Sequence, residues 1–462
     1  MTSAYPVITS SPSAVKEQLL LFALEERTPQ GPHAQAHFEQ DLPKRERLAI
    51  LLSGELNFHG EDSGYASHDL HAFAAKFPPQ LPRAFIRSLT RYGDLVLDPM
   101  MGSGTTVVEA LLEGRRGIGL DIDPLALRLS TVKTTRLELD NLRSAGDKVL
   151  LRANALLSDG RVVEKELRRR FDERTQAFIN YWFLPTTQRE LMALVLAIED
   201  VADRSVRHFL ELAFSSIIVT KSGGVSLARD LAHSRPHLDK TKVPKNALEQ
   251  YALRLRKNFV SIAQLKTNGM PSAILAGDAR DMPVTAEIVD LIVTSPPYAN
   301  AIDYMRAHKF SLVWLGGSVG TLSKLRAGYI GSERTGHISS IPLPDMPQMV
   351  IQQLAERDRT RAVILRKYFI DMKSVFAEFH RVLRSNGAAI VVVGTSMMRG
   401  IDIQTHYCLA DIAAATGFDV VGVVKRILDR NKRMMPASFG KKTNSMIEQR
   451  MHEEYVIGLL KR

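Results

Sequence analysis

The stretch that decides the fold is "RYGDLVLDPMMGSGTTVVEALLEGRRGIGLDIDPLA", residues 91 to 126. It predicts a strand over Asp94 to Leu97, a glycine-rich turn, a helix over Thr105 to Glu113 and a second strand over Gly117 to Leu120. A β-α-β unit of this kind is the repeating element of a parallel sheet that is covered by helices on both faces. The stretch therefore predicts an α/β fold.

Strand patterns return after a long helical region. Helical patterns dominate from about 140 to 270, and short apolar runs resume at 272–278, 289–295, 388–395, 419–427 and 454–462. The economical prediction is a mostly parallel, seven-stranded, Rossmann-like sheet with a helical insertion between its second and third strands. The predicted units are a helical arm (1–60), the first part of the α/β domain (61–138), the insertion (139–270) and the second part of that domain (271–462).

The composition is typical of a soluble protein, and the charge favours an anionic partner. Of 462 residues, 45% are hydrophobic and 24% are charged, as in ordinary globular proteins. We expect a cytoplasmic protein without membrane contact, because the sequence has no signal-peptide pattern and no apolar stretch of roughly 18 residues. The net charge of +11 favours nucleic acid. A single cysteine, Cys408, and the lack of an HExxH motif argue against a disulfide framework and a metal site.

The turn after the first strand, "DPMMGSGTT" (98–106), has features of a ligand-binding loop. Gly102 and Gly104 let the backbone approach a ligand closely before the helix begins. A phosphate loop would have a lysine after its last glycine, but threonines follow here. Asp98 would repel a phosphate and suits a cation, such as the ammonium of an amino acid.

Further aspartates follow the second and third predicted strands. Asp121 and Asp123 stand where nucleoside-binding folds commonly place a carboxylate for ribose hydroxyls. Asp278, after the third strand, could accept a hydrogen bond from an adenine amino group. Each carboxylate alone could be a helix cap or a loop residue, but three at successive strand ends indicate one site. An ammonium, a ribose and an adenine together describe S-adenosylmethionine.

Four segments resemble the amino-methylating DNA methyltransferases. "DPMMGSGTT" is similar to their cofactor loop, and "TSPPY" (294–298) is similar to their catalytic motif. "LHAFAAKFPPQLPRAFI" (70–86) resembles the segment that completes the cofactor pocket. "YFIDMKSVFAEFHRVLRSNGAAIVVVG" (368–394) resembles the helix and fifth strand that follow.

The resemblance implies the class I S-adenosylmethionine-dependent methyltransferase fold, with S-adenosylmethionine as cofactor and double-stranded DNA as substrate. It also implies a prokaryotic protein and allows for a cognate restriction endonuclease, whereas it does not set the oligomeric state. Together with the aspartates, the resemblance predicts these cofactor-binding residues: Lys76, Phe77, Asp98, Pro99, Gly102, Ser103, Gly104, Thr105, Thr106, Asp121, Asp123, Asp278 and Thr294.

The catalytic motif suggests how an exocyclic amine is methylated. The lone pair of such an amine is delocalised into the base, and acceptors placed on its hydrogens localise that pair toward a methyl donor. The Ser295 hydroxyl and the Pro296 carbonyl are such acceptors, and with Pro297 they form a rigid turn that needs little reorganisation. Tyr298 would stack on a base that is flipped out of the duplex.

The choice of base follows from the resemblance. In the family, Ser-Pro-Pro-Tyr is associated mainly with N4 of cytosine, and Asp- or Asn-Pro-Pro-Tyr/Phe mainly with N6 of adenine. We therefore favour cytosine and keep adenine as the alternative. Methylation at carbon 5 is set aside, because Cys408 has no proline beside it. An RNA base methyltransferase and a catalytically silent DNA-binding subunit are further alternatives, although the GSGTT loop, the large insertion and the intact motifs argue against them.

Two basic segments are candidates for contacts with DNA phosphates. One lies in the insertion (220–257), and the other (425–436) follows the sixth predicted strand. A second candidate region for recognition, 317–360, directly follows the catalytic turn. The predicted DNA-binding residues are Lys221, Arg229, Arg235, Lys240, Lys242, Lys245, Arg430, Lys432 and Arg433.

Overall fold

The structure, a computed structural model, describes residues 42–73, 76–220, 224–229, 231, 236–265, 267, 269–299, 303–332, 341–394, 396–428 and 453–462. The helices are α1 (Lys44–Ser53), α2 (Gln80–Leu89), α3 (Thr105–Leu112), α4 (Pro124–Thr134), α5 (Leu139–Asp159), α6 (Arg161–Arg169), α7 (Glu173–Trp182), α8 (Pro185–Glu199), α9 (Arg204–Ile218), α10 (Ala247–Ala263), α11 (Tyr304–Leu312), α12 (Val319–Ala327), α13 (Asp345–Arg357), α14 (Arg359–Val382) and α15 (Thr405–Ala415). The strands are β1 (Leu95–Asp98), β2 (Arg116–Asp121), β3 (Ala228–Arg229), β4 (His237–Leu238), β5 (Ser272–Ala276), β6 (Val289–Thr294), β7 (Leu383–Gly394), β8 (Met397–Met398), β9 (Ile401–Asp402), β10 (Phe418–Ile427) and β11 (Glu453–Lys461).

Seven strands form one sheet in the order β10-β11-β7-β6-β1-β2-β5. β11 runs antiparallel to both of its neighbours, and the strands from β7 to β5 pair in parallel. The first strand, β1, lies inside the sheet. The next strands, β2 and β5, extend the sheet to one edge, and β6 then pairs with the other side of β1. Val96 pairs with Leu291 and Leu97 with Ile292 at this reversal of strand order. The predicted α/β fold is therefore confirmed, including the switch point at which such sheets bind ligands.

One strand differs from its predicted limits by more than two residues. β7 begins at Leu383, five residues before the predicted start, because Leu383 already pairs with Val289. The ladder then shifts register, and Asn386 takes a positive φ of 60° within the irregular segment. The start of β7 is bulged and contains polar, turn-forming residues. Hydrophobic periodicity alone therefore predicts a later start for this strand.

Helices cover both faces of the sheet. Leu48 of α1 and Phe85 of α2 are buried against one face, together with Val96 and Leu291. The opposite face packs against α14 and α15, whose buried side chains meet those of β1, β6 and β7. Burial on both faces explains why the central strands are continuous apolar runs and do not alternate.

The helices between β2 and β5 have a hydrophobic core of their own, and α11 enters it. The Trp314 ring lies edge-on to Phe183, with ring centroids 5.4 Å apart, and Phe310 packs edge-on to Trp182 at 4.9 Å. Because α11 begins a few residues after the catalytic turn, these contacts join the helical region to the turn. None of the helices in the described residues is long and apolar enough to span a membrane.

Candidate active site

A cleft opens at the carboxyl ends of β1, β2, β5 and β6, with an empty volume of about 900 Å³ including space open to solvent. Twelve of the predicted site residues line it: Lys76, Phe77, Asp98, Pro99, Gly102, Ser103, Thr105, Asp121, Asp123, Asp278, Ser295 and Pro297. Gly104, Thr106, Thr294, Pro296 and Tyr298 do not line it. The tertiary structure thus brings together residues from four strand-end turns and from the segment before α2.

Gly104 shapes the loop between β1 and α3. Its φ of +72° lies in the left-handed region, and a Cβ there would be 2.6 Å from Oγ of Ser130 on α4. Met101 donates its amide to the Leu120 carbonyl at 3.0 Å, which ties the loop to β2. The loop therefore needs glycine at this position for both backbone conformation and space.

A buried lysine holds the loop from behind. Nζ of Lys133, a fully buried residue of α4, donates to the Ser103 carbonyl at 2.8 Å. Burial, with a further contribution from Lys76, lowers the pKa of Lys133 well below its usual value. This lysine stabilises the loop conformation and does not line the cleft.

Asp98 is the most deeply placed carboxylate of the cleft, with 2% of its surface exposed. Burial raises its pKa to about 6, against the opposing effects of the Thr294 and Thr106 hydroxyls and the Met100 amide. Among the described residues, none forms an ion pair with Asp98. A buried carboxylate without a cationic partner in the described part of the chain is suited to the ammonium group of a ligand.

Asp121 ends β2 beside the same loop. Its carboxylate accepts the amides of Gly102 and Asp123, each at 2.8 Å. Burial and the neighbouring Asp123 raise the pKa of Asp121 to about 7. Each carboxylate oxygen has a second lone pair, so the group can still accept from ribose hydroxyls.

Asp123 has several partners within the chain. It caps α4 by accepting the Leu125 amide at 2.8 Å, and its other oxygen accepts from His308 at 2.7 Å and Tyr329 at 3.0 Å. Burial acts to raise the pKa of Asp123, but His308, the Leu125 amide and Tyr329 hold it below the usual value. Asp123 thus connects β2 to α11, and its predicted contact with the cofactor stays a prediction.

Asp278 is paired with a cation at the outer end of the cleft. The Arg280 guanidinium donates to both of its oxygens, with Nη2 to Oδ2 at 2.6 Å. Burial acts to raise the pKa of Asp278, and Arg280 outweighs burial and lowers it. The second partner of Arg280 is Asp371, at 2.9 Å. The adenine contact of Asp278 stays a prediction.

The cleft also has aromatic walls that the sequence reading missed. Phe73 stacks on Tyr304 with ring centroids 5.5 Å apart and an interplanar angle of 24°. Tyr304, Tyr329 and Ile330 line the cleft from segments that follow the catalytic turn. Phe73 lies in the segment that resembles the family pocket, but no motif marks Tyr304 or Tyr329.

The donor set fits S-adenosylmethionine. Asp98 offers a negative charge for an ammonium, Asp121 offers acceptors for a ribose, and the apolar and aromatic walls can enclose an adenine. The described residues contain no group of three or more His, Cys, Asp or Glu side chains that could hold a metal ion. The lining of the cleft therefore fits a small organic cation with a nucleoside part.

The catalytic turn after β6 meets this cleft from the opposite side of β1. Ser295 and Pro297 line the cleft, and Pro296 is buried behind them. The Tyr298 ring lies on β7, where a Cβ on Gly394 would be 2.6 Å from Cε2 of the ring. The Tyr298 hydroxyl donates to Glu454 at 2.9 Å. Its predicted stacking on a base therefore stays a proposal.

The predicted DNA-binding residues lie apart from the cleft or outside the described residues. Arg229 pairs with Asp239 at 2.5 Å, and Lys242 donates to the Ala228 carbonyl at 2.8 Å. Lys240 and Lys245 are exposed. None of these four cations lines the cleft. Five more positions lie outside the described residues: Lys221, Arg235, Arg430, Lys432 and Arg433.

Comparison with known proteins gives matches to methyltransferases. A family model described as "DNA methylase" matches residues 29–132. The type II methyltransferase M.MvaI of Kocuria varians is 23% identical over 402 residues, covering 80% of this chain and 87% of that protein. M.MjaII of Methanocaldococcus jannaschii is 22% identical over 360 residues, with 59% and 67% covered. A TehB-like methyltransferase structure from Corynebacterium glutamicum is 10% identical, with 82% and 87% covered and a TM-score of 0.27.

The strand order, the antiparallel β11 and the acidic strand ends at the switch point define a class I S-adenosylmethionine-dependent methyltransferase. S-adenosylmethionine is the methyl donor of this class. Within it, the family model over residues 29–132 and the type II relatives support an amino-methylating DNA methyltransferase. The predicted resemblance and the predicted cofactor agree with these matches.

Proposed function

We propose that this protein methylates N4 of cytosine at a specific sequence in double-stranded DNA, by direct transfer to a flipped-out base. One observation carries the proposal: Ser295 and Pro297 line the same cleft as Asp98 and Asp121. The Ser295 side chain, an acceptor for an amine, thus shares one cleft with a carboxylate pair for the methyl donor, at the junction of β1 and β6.

In this proposal, S-adenosylmethionine supplies an electrophilic methyl group when it is bound. Asp98 pairs with its ammonium, Asp121 accepts from its ribose hydroxyls, and the buried loop around Gly104 holds the position of both carboxylates. The aromatic pair of Phe73 and Tyr304 excludes water from the cleft.

The catalytic turn acts on the other reactant. The Ser295 hydroxyl and the Pro296 carbonyl accept hydrogen bonds from the target amine and direct its lone pair toward the methyl group. The turn is already held in place, so these acceptors need little reorganisation in the transition state. No covalent bond to the enzyme is required.

The choice of cytosine rests on Ser295. An aspartate or asparagine in this position would be typical of adenine, and adenine N6 is therefore the second candidate. Recognition of DNA is assigned to the insertion (139–270), because its core contacts α11 next to the catalytic turn. The described basic residues Arg229, Lys240, Lys242 and Lys245 are the proposed phosphate contacts.

The experiment that tests the proposal uses S-adenosylmethionine labelled in its methyl group. The protein is incubated with unmethylated genomic DNA, the DNA is digested to nucleosides, and the labelled nucleoside is identified. We expect N4-methyldeoxycytidine. Label in N6-methyldeoxyadenosine alone would replace cytosine by adenine, and label in RNA alone would overturn the DNA assignment.

A further inference from the structure

A buried ion pair stands behind the catalytic turn. Arg426 on β10 donates to Oε2 of Glu454 on β11 at 2.9 Å, and the two residues are partners in the β10–β11 ladder. Arg426 is 2% exposed and Glu454 is 9% exposed. Removing two charges from water is costly, and an apolar pair in these strands would cover the sheet equally well.

The second carboxylate oxygen of this pair contacts the catalytic motif. Oε1 of Glu454 accepts the Tyr298 hydroxyl at 2.9 Å. Glu454 pairs in the ladder with Gly394, the residue on which the Tyr298 ring lies. The glycine allows this close approach, since a Cβ there would be 2.6 Å from the ring. The ion pair, the tyrosine and the catalytic turn are therefore in direct contact at one edge of the sheet.

The hydrogen bonds in this group run in one direction. A carboxylate can only accept, so Tyr298 uses its single hydroxyl proton on Glu454 and keeps its oxygen lone pairs for other donors. Burial, reinforced by Glu454, raises the pKa of Tyr298 well above its usual value, so the phenol stays a neutral donor. Ser295 stands three residues before Tyr298 in the same turn, and its side chain acts against this rise in the pKa of Tyr298.

We propose that Glu454 and Arg426 are positioning residues that orient the Ser295 hydroxyl, through Tyr298, as an acceptor for the target amine. A serine hydroxyl by itself can turn its proton toward the amine, and in that orientation it cannot accept. When Ser295 donates to Tyr298 and Tyr298 donates to Glu454, both serine lone pairs remain for the amine. Arg426 fixes the orientation of the carboxylate at the end of this chain. The inference rests on the proposed function.

The test compares single-turnover methyl transfer by Tyr298→Phe, Glu454→Gln and the double variant, at saturating S-adenosylmethionine and DNA. Tyr298→Phe keeps the ring and removes the hydroxyl. Glu454→Gln can present its amide to the phenol and so reverse the direction of donation. We expect each single variant to lose about ten- to a hundredfold in rate, with the double variant no slower than the singles. Affinity for S-adenosylmethionine should stay within about twofold of the wild type.

A matched control is available on the same strand. Glu453 is also paired across the ladder, with Lys425 at 3.1 Å, but it is more exposed and does not contact Tyr298. Glu453→Gln should methylate at the wild-type rate. If Glu454→Gln does not fold, Tyr298→Phe decides alone, because an unchanged rate for that variant would overturn the inference.

The outcomes separate the inference from the function. A wild-type protein that labels no DNA amine contradicts the proposed function. Wild-type methylation with unchanged rates in the variants contradicts the inference alone. Additive losses in the double variant, or a loss of S-adenosylmethionine affinity that parallels the rate, would show that the pair is merely structural.

Discussion

A Cβ atom on Gly104 would lie 2.6 Å from Oγ of Ser130 and 3.0 Å from its Cβ. Gly104 immediately precedes α3, and Ser130 lies in the middle of α4. The close approach of these two residues sets the distance between the cofactor loop and α4. Ser130 can rotate its hydroxyl away, but its Cβ cannot move without a shift of α4. The shape of the cofactor loop therefore depends on a missing side chain.

Gly104→Ala should distort this loop. We expect a loss of about 2–3 kcal/mol in the free energy of unfolding, from left-handed strain and overpacking together, and weaker S-adenosylmethionine binding. Gly93→Ala is the matched control, because Gly93 has a similar φ of +78° and nothing within 4 Å of its Cβ position. It should show only the strain, about 1 kcal/mol, with normal binding by calorimetry. Equal effects of the two variants would contradict the role of Ser130.

Asp98→Asn should stabilise the cofactor-free protein and weaken cofactor binding. The pKa of Asp98 is raised from 3.8 to about 6, so the folded protein takes up a proton between these pH values and carries a penalty above them. That penalty is at most about 3 kcal/mol. Thermal unfolding should show the variant more stable than the wild type at pH 8, with the difference shrinking toward pH 4. A difference that does not depend on pH would argue against this explanation.

Binding of S-adenosylmethionine should weaken as the pH falls from 8 to 5. Protonation of Asp98 near pH 6 removes the charge that attracts the ammonium, while Asp121, with a pKa of about 7, can still accept hydrogen bonds when neutral. Titration calorimetry across this range measures the effect, which Asp98→Asn should largely abolish. The control ligand is 5′-methylthioadenosine, which lacks the amino acid part and should bind both proteins equally.

Ser295→Ala should reduce turnover and leave S-adenosylmethionine affinity near normal. Ser295 follows β6 and Asp98 ends the neighbouring strand β1, so the two side chains line the cleft from different strand ends. We expect a loss of about a hundredfold in single-turnover rate, since removal of one positioned hydrogen-bonding group from an active site has an effect of this size. Equal loss of cofactor affinity in Ser295→Ala and Asp98→Asn would refute the division of roles.

The double variant Lys240→Gln/Lys245→Gln should bind DNA with a weaker salt dependence. Both lysines are exposed in the basic segment of the insertion. Each phosphate contact that is lost should reduce the slope of log K against log salt concentration by about 0.9. Lys148→Gln, at an exposed position on α5, is the control and should keep the wild-type slope. An unchanged slope in the double variant would move the DNA contacts to another segment.

Most of the residues that line the cleft could be predicted from local sequence patterns. Asp98, Asp121 and Ser295 each follow an apolar strand, and parallel strands bring their carboxyl ends to one edge. Tyr304 had no such signal, because α11 takes its position from the burial of Phe310 in the core of the insertion. Tyr329 follows α12 and had no such signal either. When a contact depends on the packing of a distant helix, the sequence near the residue contains no pattern that predicts the contact.

The amino-acid sequence by itself determined the succession of strands along the chain, and the loop and the turn with their chemistry, because these depend on local periodicity and on glycine and proline geometry. Only the tertiary structure decided which partners the carboxylates of the site have. It engages Asp123 with His308, pairs Asp278 with Arg280 and sets Glu454 behind Tyr298. The partner of a buried charge is chosen by which strands and helices meet, and that choice is made by packing across the whole chain.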